Sequence, residues 1–143
     1  MSTMTTPQFG EPHGTHMTRP SAYAVIRNDA GNILVVLVRG KYHLPGGGID
    51  LNEDVKAAVV REVHEETGYE AVIAECIGNA NQFFETSSLG PLNKTATFFT
   101  ATIAGGDITN STEDDHQTCW IPVTEFLEST ASDFQKWAVK QTS

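Results

Sequence analysis

Apolar and polar positions change period several times along this chain, and each change marks a predicted element. Ser21 to Arg27 carries small and β-branched residues and predicts a strand. Asn28-Asp29-Ala30-Gly31-Asn32 then supplies turn residues. Ile33 to Arg39 is a continuous apolar run closed by one cation, the pattern of a buried strand. Leu44-Pro45-Gly46-Gly47-Gly48 predicts a loop where backbone can approach a ligand closely. A helix follows, with Asn52 as the expected N-cap and Glu53 and Asp54 suited to its first turn. Gly68 is placed to end that helix in the left-handed conformation.

Beyond Gly68 the pattern returns to strand. Tyr69 to Ile77, Asn81 to Glu85, Thr95 to Ile103 and Thr118 to Ile121 carry strand-forming residues. Thr86 to Asn93 is expected to be a polar loop, and Glu113 to His116 a charged one. Pro122 opens a helical turn over Val123 to Leu127. Ser132 caps a last helix with Phe134, Trp137 and Ala138 on one side. No internal repeat is visible. Strands on both sides of one central helix, with a helix at the end, predict an α/β layered domain with a mixed sheet. Met1 to Pro20 is rich in Thr, Pro, Gly and His and has no apolar period, so it is expected to be a flexible leader. Residues 21–143 then form a single domain.

Composition narrows the classes. A chain of 143 residues suits one core. The run Ile33 to Val38 is far too short to span a bilayer, and the first residues lack a secretory pattern. A cytoplasmic location and no membrane partner are therefore expected. A net charge of −9 argues against general affinity for nucleic acid. It leaves room for a phosphorylated small molecule, because a bound metal inverts the local field. Cys76 and Cys119 match no metal spacing and are read as small buried strand residues. His13 and His16 are read as solvated histidines of the leader.

The candidate chemistry lies in Gly47 to Tyr69, GGIDLNEDVKAAVVREVHEETGY. A helix advances about 100° per residue, so Glu62, Glu65 and Glu66 fall within an arc of roughly 100°. Three carboxylates that close repel unless something positive lies between them. A hard divalent cation with oxygen ligands, such as Mg²⁺ or Mn²⁺, is the usual solution. Val55, Val59 and Val63 project beside the arc and set it at the edge of the core. Arg61 and Glu65 are four apart and can pair. Arg-Glu-Val-His-Glu-Glu alone would be a solvated helix face; the glycines and Glu53 at fixed spacing change that reading. His64 points away from the arc.

At these residues the chain resembles the Nudix hydrolase superfamily. Gly47, Glu53, Arg61, Glu62, Val63, Glu65, Glu66, Gly68 and Tyr69 fill every fixed place of the family's motif. The resemblance implies an α/β/α sandwich with the motif as loop–helix–loop. It implies hydrolysis of a nucleoside diphosphate linked to another group. Carried over, Glu62, Glu65 and Glu66 would be metal ligands with the carbonyl of Gly46, while Glu53 and Arg61 would be structural. Asp114, between Glu113 and Asp115, has the best spacing for a general base, and a motif carboxylate such as Glu66 is the alternative.

The resemblance also suggests substrate contacts. Arg39 ends the buried strand and is either a phosphate contact or a surface residue. His43 either lines the pocket or pairs in the sheet. Phe83, Phe84, Phe98 and Phe99 are chiefly core, with alternation allowing one of each pair to face a base; Phe83 is the candidate. Relatives acting on ADP-ribose or dinucleoside polyphosphates often carry a Pro or Tyr downstream, where this chain has Phe84 to Ser87. Both assignments are weakened without being excluded; the likeness to short nucleoside triphosphate pyrophosphohydrolases implies a nucleoside triphosphate, oxidised or not, as the expected substrate, with ADP-ribose, dinucleoside polyphosphates and sugar nucleotides as alternatives. The rival class is a nucleotide-binding sensor without turnover. A monomer or homodimer is expected.

Overall fold

The computed structural model describes residues 6–12, 14–108 and 116–142. A sheet in the order β1-β6-β7-β2-β5 forms the centre: β1 is Gln8–Phe9, β2 Met17–Ile26, β5 Gly46–Gly48, β6 Tyr69–Thr86 and β7 Gly90–Gly106. It is mixed, because β1–β6 and β2–β7 pair in parallel while β2–β5 and β6–β7 are antiparallel. A second sheet, ordered β4-β3-β8, holds β3 (Ile33–Val38) between β4 (Lys41–His43) and β8 (Gln117–Ile121). Helix α1 spans Val55–Thr67, α2 Val123–Glu128 and α3 Asp133–Gln141.

Strand alternation builds a core on each face of the central sheet. Ala22, Ala24 and Ile26 of β2 point toward Val59 and Val63 of α1. Tyr23 and Val25, between them, point toward Phe134, Ala138 and Val139 of α3. The result is helix, sheet, helix, as the resemblance implied, around the mixed sheet that the sequence pattern predicted. Among the described residues, no helix is long and apolar enough to cross a membrane.

Several boundaries differ from the sequence expectation. β2 begins at Met17, because its parallel ladder with β7 runs from Met17↔Leu92 to Ile26↔Ala101. Met17 to Pro20 and Gln8–Phe9, read as leader, are thus paired backbone. Gly46–Gly48, read as loop, is a short strand on β2. β6 is one strand, not two; register shifts near Cys76 and Gly78 break its alternation without ending the pairing. The expected loop from Thr86 shrinks to a tight turn, with β7 starting at Gly90. Cys76, read as buried, is exposed on β6, and Cys119 is half-buried.

Candidate active site

Helix α1 is capped by Asp54, not Asn52. Asp54 is extended (φ −66°, ψ 139°), and its carboxylate accepts from the Ala57 N–H at 3.1 Å. Asn52 instead takes a left-handed turn at φ 65°. The later start leaves Glu53 outside the helix, where Oε1 accepts from Asp50 N at 3.0 Å and both oxygens face Arg61. Gly68 ends the helix at φ 81°, donating to the carbonyl of His64 at 2.9 Å.

Arg61 is the hub of the acidic face. Its Nε and Nη2 donate to the two Glu53 oxygens at 2.8 and 2.9 Å, a bidentate pair. Nη1 reaches Glu62 at 3.0 Å and Glu65 at 3.2 Å, and Nη2 reaches the Gly48 carbonyl at 3.2 Å. The Arg61 hydrogen bonds hold the Glu53 carboxyl down at about 2, and Glu53 in turn drives the guanidinium pKa above its usual range.

Glu66 is the buried member, and it faces the glycine strand. Its Oε1 accepts from Gly46 N at 2.8 Å, while Thr118 on β8 donates to its backbone carbonyl at 3.2 Å. His116 Nδ1 lies 3.3 Å from Oε2 without an aligned hydrogen bond between them. Glu62 presses on the same strand: a β-carbon at Gly47 would lie 2.9 Å from its Cδ and Oε2. Gly46 has no room for one either, since it would meet the carbonyl of Ala22 and the Tyr23 Cα.

Asp50, Glu53, Glu62 and Glu65 therefore surround one guanidinium and, with Glu66 beside them, leave an acidic excess against bare glycine backbone. Among the described residues, no three His, Cys, Asp or Glu side chains converge on a ready metal point; Glu62 and Glu65 turn to Arg61, and Glu66 to Gly46. The donor set nonetheless suits a hard cation: it is all oxygen, carries excess negative charge and abuts a cradle that a side chain at Gly47 would fill.

Beside this face, on the α3 side of the sheet, lies a cleft of about 380 Å³. Tyr23, Phe84 and Phe134 supply its aromatic surface, and Arg19, Lys41 and Lys94 its charge. Tyr23 joins cleft and carboxylates: its ring backs Gly46, and its hydroxyl is pushed up to about 12 by burial and then by Glu66 and Glu62. Gln135 joins them from the other side, its Oε1 accepting from Leu44 N at 2.7 Å, two residues before Gly46. His43 lines the cleft and is held near 4, first by burial and then by the charges of Lys41, Lys94 and His116.

Other candidates lie elsewhere. Arg39 is exposed at the tip of the β3–β4 hairpin, where Arg39 (φ 52°) and Gly40 (φ 78°) form a two-residue turn. The cation of this hairpin that lines the cleft is Lys41, on the return strand. Phe83 packs edge-on against His16 at 5.0 Å, while Phe84 lines the cleft. Asp114, with Glu113 and Asp115, lies outside the described residues. His64 is exposed. Sequence reasoning missed Tyr23, Lys41, Lys94, Gln135 and His116. The alternation of SAYAVI carried a signal for Tyr23; the others depend on pairing between distant elements.

A sequence profile of the NUDIX domain matches residues 17–141. The chain is 38% identical over 64 residues to a putative 8-oxo-dGTP diphosphatase of Bacillus subtilis, covering 43% of each chain. It is 32% identical over 93 residues to an 8-oxo-(d)GTP phosphatase of Mycolicibacterium smegmatis, covering 63% of this chain and 27% of that one. The matches thus span less than half the length of these curated relatives. Among solved structures, the MutT protein of Methanosarcina mazei superposes with a TM-score of 0.71 at 28% identity, covering 88% of this chain and 93% of that one. A NUDIX hydrolase of Nitrosomonas europaea superposes with a TM-score of 0.74 at 20% identity, covering 87% and 88%, and shows the shared fold.

Proposed function

Because this chain belongs to the NUDIX domain family, we propose that it is a metal-dependent pyrophosphohydrolase acting on a nucleoside triphosphate. The observation that carries the proposal is the acidic face of α1 closed against the glycine strand beside an aromatic cleft. Hydrolases of this family use divalent metal ions. Glu62, Glu65, Glu66 and the carbonyl of Gly46 would hold the metal here, with Mg²⁺ the expected ion. Such an ion neutralises phosphate charge and makes a bound water more acidic.

The chain's own residues do the rest. Arg61, fixed by Glu53, holds Glu62 and Glu65 in place. Gly46 N holds Glu66. Tyr23, Phe84 and Phe134 offer faces for a base to stack on. A water attacks one phosphorus, the anhydride P–O bond breaks, and the leaving phosphate takes that electron pair. Asp114 is the candidate to accept the water's proton. Oxidised guanine triphosphate heads the substrate panel, because two relatives carry that activity in their names. A cytoplasmic location fits such a substrate.

The test is release of phosphate and pyrophosphate from canonical and oxidised triphosphates, ADP-ribose, dinucleoside polyphosphates and sugar nucleotides with Mg²⁺. Turnover that Glu66→Gln loses by about 10²-fold or more, with its melting temperature retained, is the expected result. Wild-type turnover by that variant would reject the ligand assignment. Silence across the panel by the unmodified chain would reject the hydrolase reading.

A further inference from the structure

Glu66 is the most buried of the motif carboxylates, and its two oxygens face different elements. A carboxylate taken out of water needs partners for its lone pairs. Oε1 takes the Gly46 N–H at 2.8 Å. Oε2 lies 3.3 Å from His116 Nδ1, a nitrogen that is itself buried.

The strand that follows builds the place of His116. His116, Thr118 and Trp120 are spaced two apart, so alternation turns all three to one side of β8. That side meets the end of α1. Thr118 donates to the Glu66 carbonyl at 3.2 Å, and Trp120 meets Tyr69 edge-on with ring centroids 6.1 Å apart. The ladder from Ile33↔Ile121 to Leu37↔Gln117 locks the strand to β3. Thr118 thus ties the main chain of Glu66 to β8, and His116 reaches its side chain from the same side.

Nδ1 carries a hydrogen in the imidazolium and in one of the two neutral tautomers, so the ring can donate in either charge state. A separation of 3.3 Å exceeds a charge-assisted hydrogen bond, which is about 2.7–2.9 Å. Bonds at reaction centres are often long in the unloaded protein and tighten in the complex. Oε2 keeps a second lone pair when it accepts from Nδ1, and that pair remains open to a cation. Arg61 orients Glu62 and Glu65 by its own donors; His116 stands to Glu66 as Arg61 stands to them.

We propose that His116 is a positioning residue for Glu66, its Nδ1–H holding Oε2 so that the carboxylate meets a divalent cation already oriented. This inference deepens, and rests on, the reading of the acidic face as a metal site. His116 acts through Glu66 and is not itself a ligand.

The experiment is calorimetric titration of the full chain with Mn²⁺, without nucleotide. His116→Leu removes the donor at similar volume. His116→Asn has the shape of leucine and returns an N–H near the place of Nδ1. His116→Leu should weaken Mn²⁺ binding about 10- to 100-fold. His116→Asn should recover most of that loss, with both variants melting at about the same temperature. The effect passes through Glu66, so it should shrink toward unity when His116→Leu is made on a Glu66→Gln background. Parental Mn²⁺ affinity in a folded His116→Leu protein would overturn the proposal. So would a His116→Asn protein no better than His116→Leu, or a loss that persists in full on the Glu66→Gln background. Should leucine not be tolerated, His116→Ala takes its place and the same outcomes decide. A parent chain that binds no Mn²⁺ would overturn the metal reading and this inference together. Binding that His116→Leu leaves unchanged overturns this inference alone.

Discussion

Gly47→Ala separates chemistry from stability. Gly47 does not need a positive φ, so its backbone admits alanine. The new β-carbon would lie 2.9 Å from Glu62 Cδ and Oε2, and 3.1 Å from Oε1. Carbon contacts settle at about 3.5–4.0 Å, so the carboxylate must retreat by roughly 0.5–1 Å. It cannot do so without consequence: its Oε1 holds Arg61, and Arg61 is clamped on its other edge by Glu53. A misplacement of about 1 Å costs roughly 10²-fold in rate. Stability should barely move. Alanine removes about 0.4–1 kcal/mol of unfolded-state freedom, and weakening a part-exposed ion pair costs about 0–1 kcal/mol. The assay is kcat for triphosphate hydrolysis with Mg²⁺, measured beside a thermal melt. A drop of about 10²-fold with Tm within a few degrees of the parent is expected. Parental kcat in a folded Gly47→Ala protein would show that the position of Glu62 does not matter, and the metal-site argument would fail.

Gly46→Ala should behave oppositely. At φ 151° its β-carbon would meet the Ala22 carbonyl and lie 2.6 Å from Tyr23 Cα, so urea denaturation should show a loss of several kcal/mol. Gln135→Ala leaves the buried Leu44 N–H without its 2.7 Å partner and should lower the urea-derived stability by about 1–3 kcal/mol. Asp54→Ala removes the α1 cap and should cost about 1 kcal/mol by the same measurement. His43 is held near 4 in the fold against 6.5 when free. The unfolded chain therefore binds more protons between those values, and stability falls as pH drops from about 6.5 toward 4. Allowing for solvent screening the loss is about 1–2 kcal/mol; an unchanged pH dependence in His43→Gln would refute this assignment.

The parts of the site fixed by local spacing were legible in the sequence. Three glutamates and a closing glycine on one helix need no knowledge of the rest of the chain. The helix start was less legible, because Asn52 and Asp54 are both good caps and only the backbone path decides between them. Arg39 was open between a phosphate contact and a surface residue for a related reason: only the Arg39-Gly40 turn shows that this cation sits on the loop tip while Lys41 lines the cleft. Which of Phe83 and Phe84 faces the cleft depends on the register of a long strand interrupted by bulges, and a one-residue slip exchanges them. The cleft was least legible, since its lining comes from β2, β4, β6, β7 and α3.

Alternation along β2 sends Ala22 and Ala24 to the layer that carries the glutamates and Tyr23 and Val25 to the layer that carries the cleft. One strand thus serves both layers, and Tyr23, which backs Gly46, is where they meet. An exchange at Tyr23 would therefore reach both the cleft and, through Gly46, the carboxylate of Glu66.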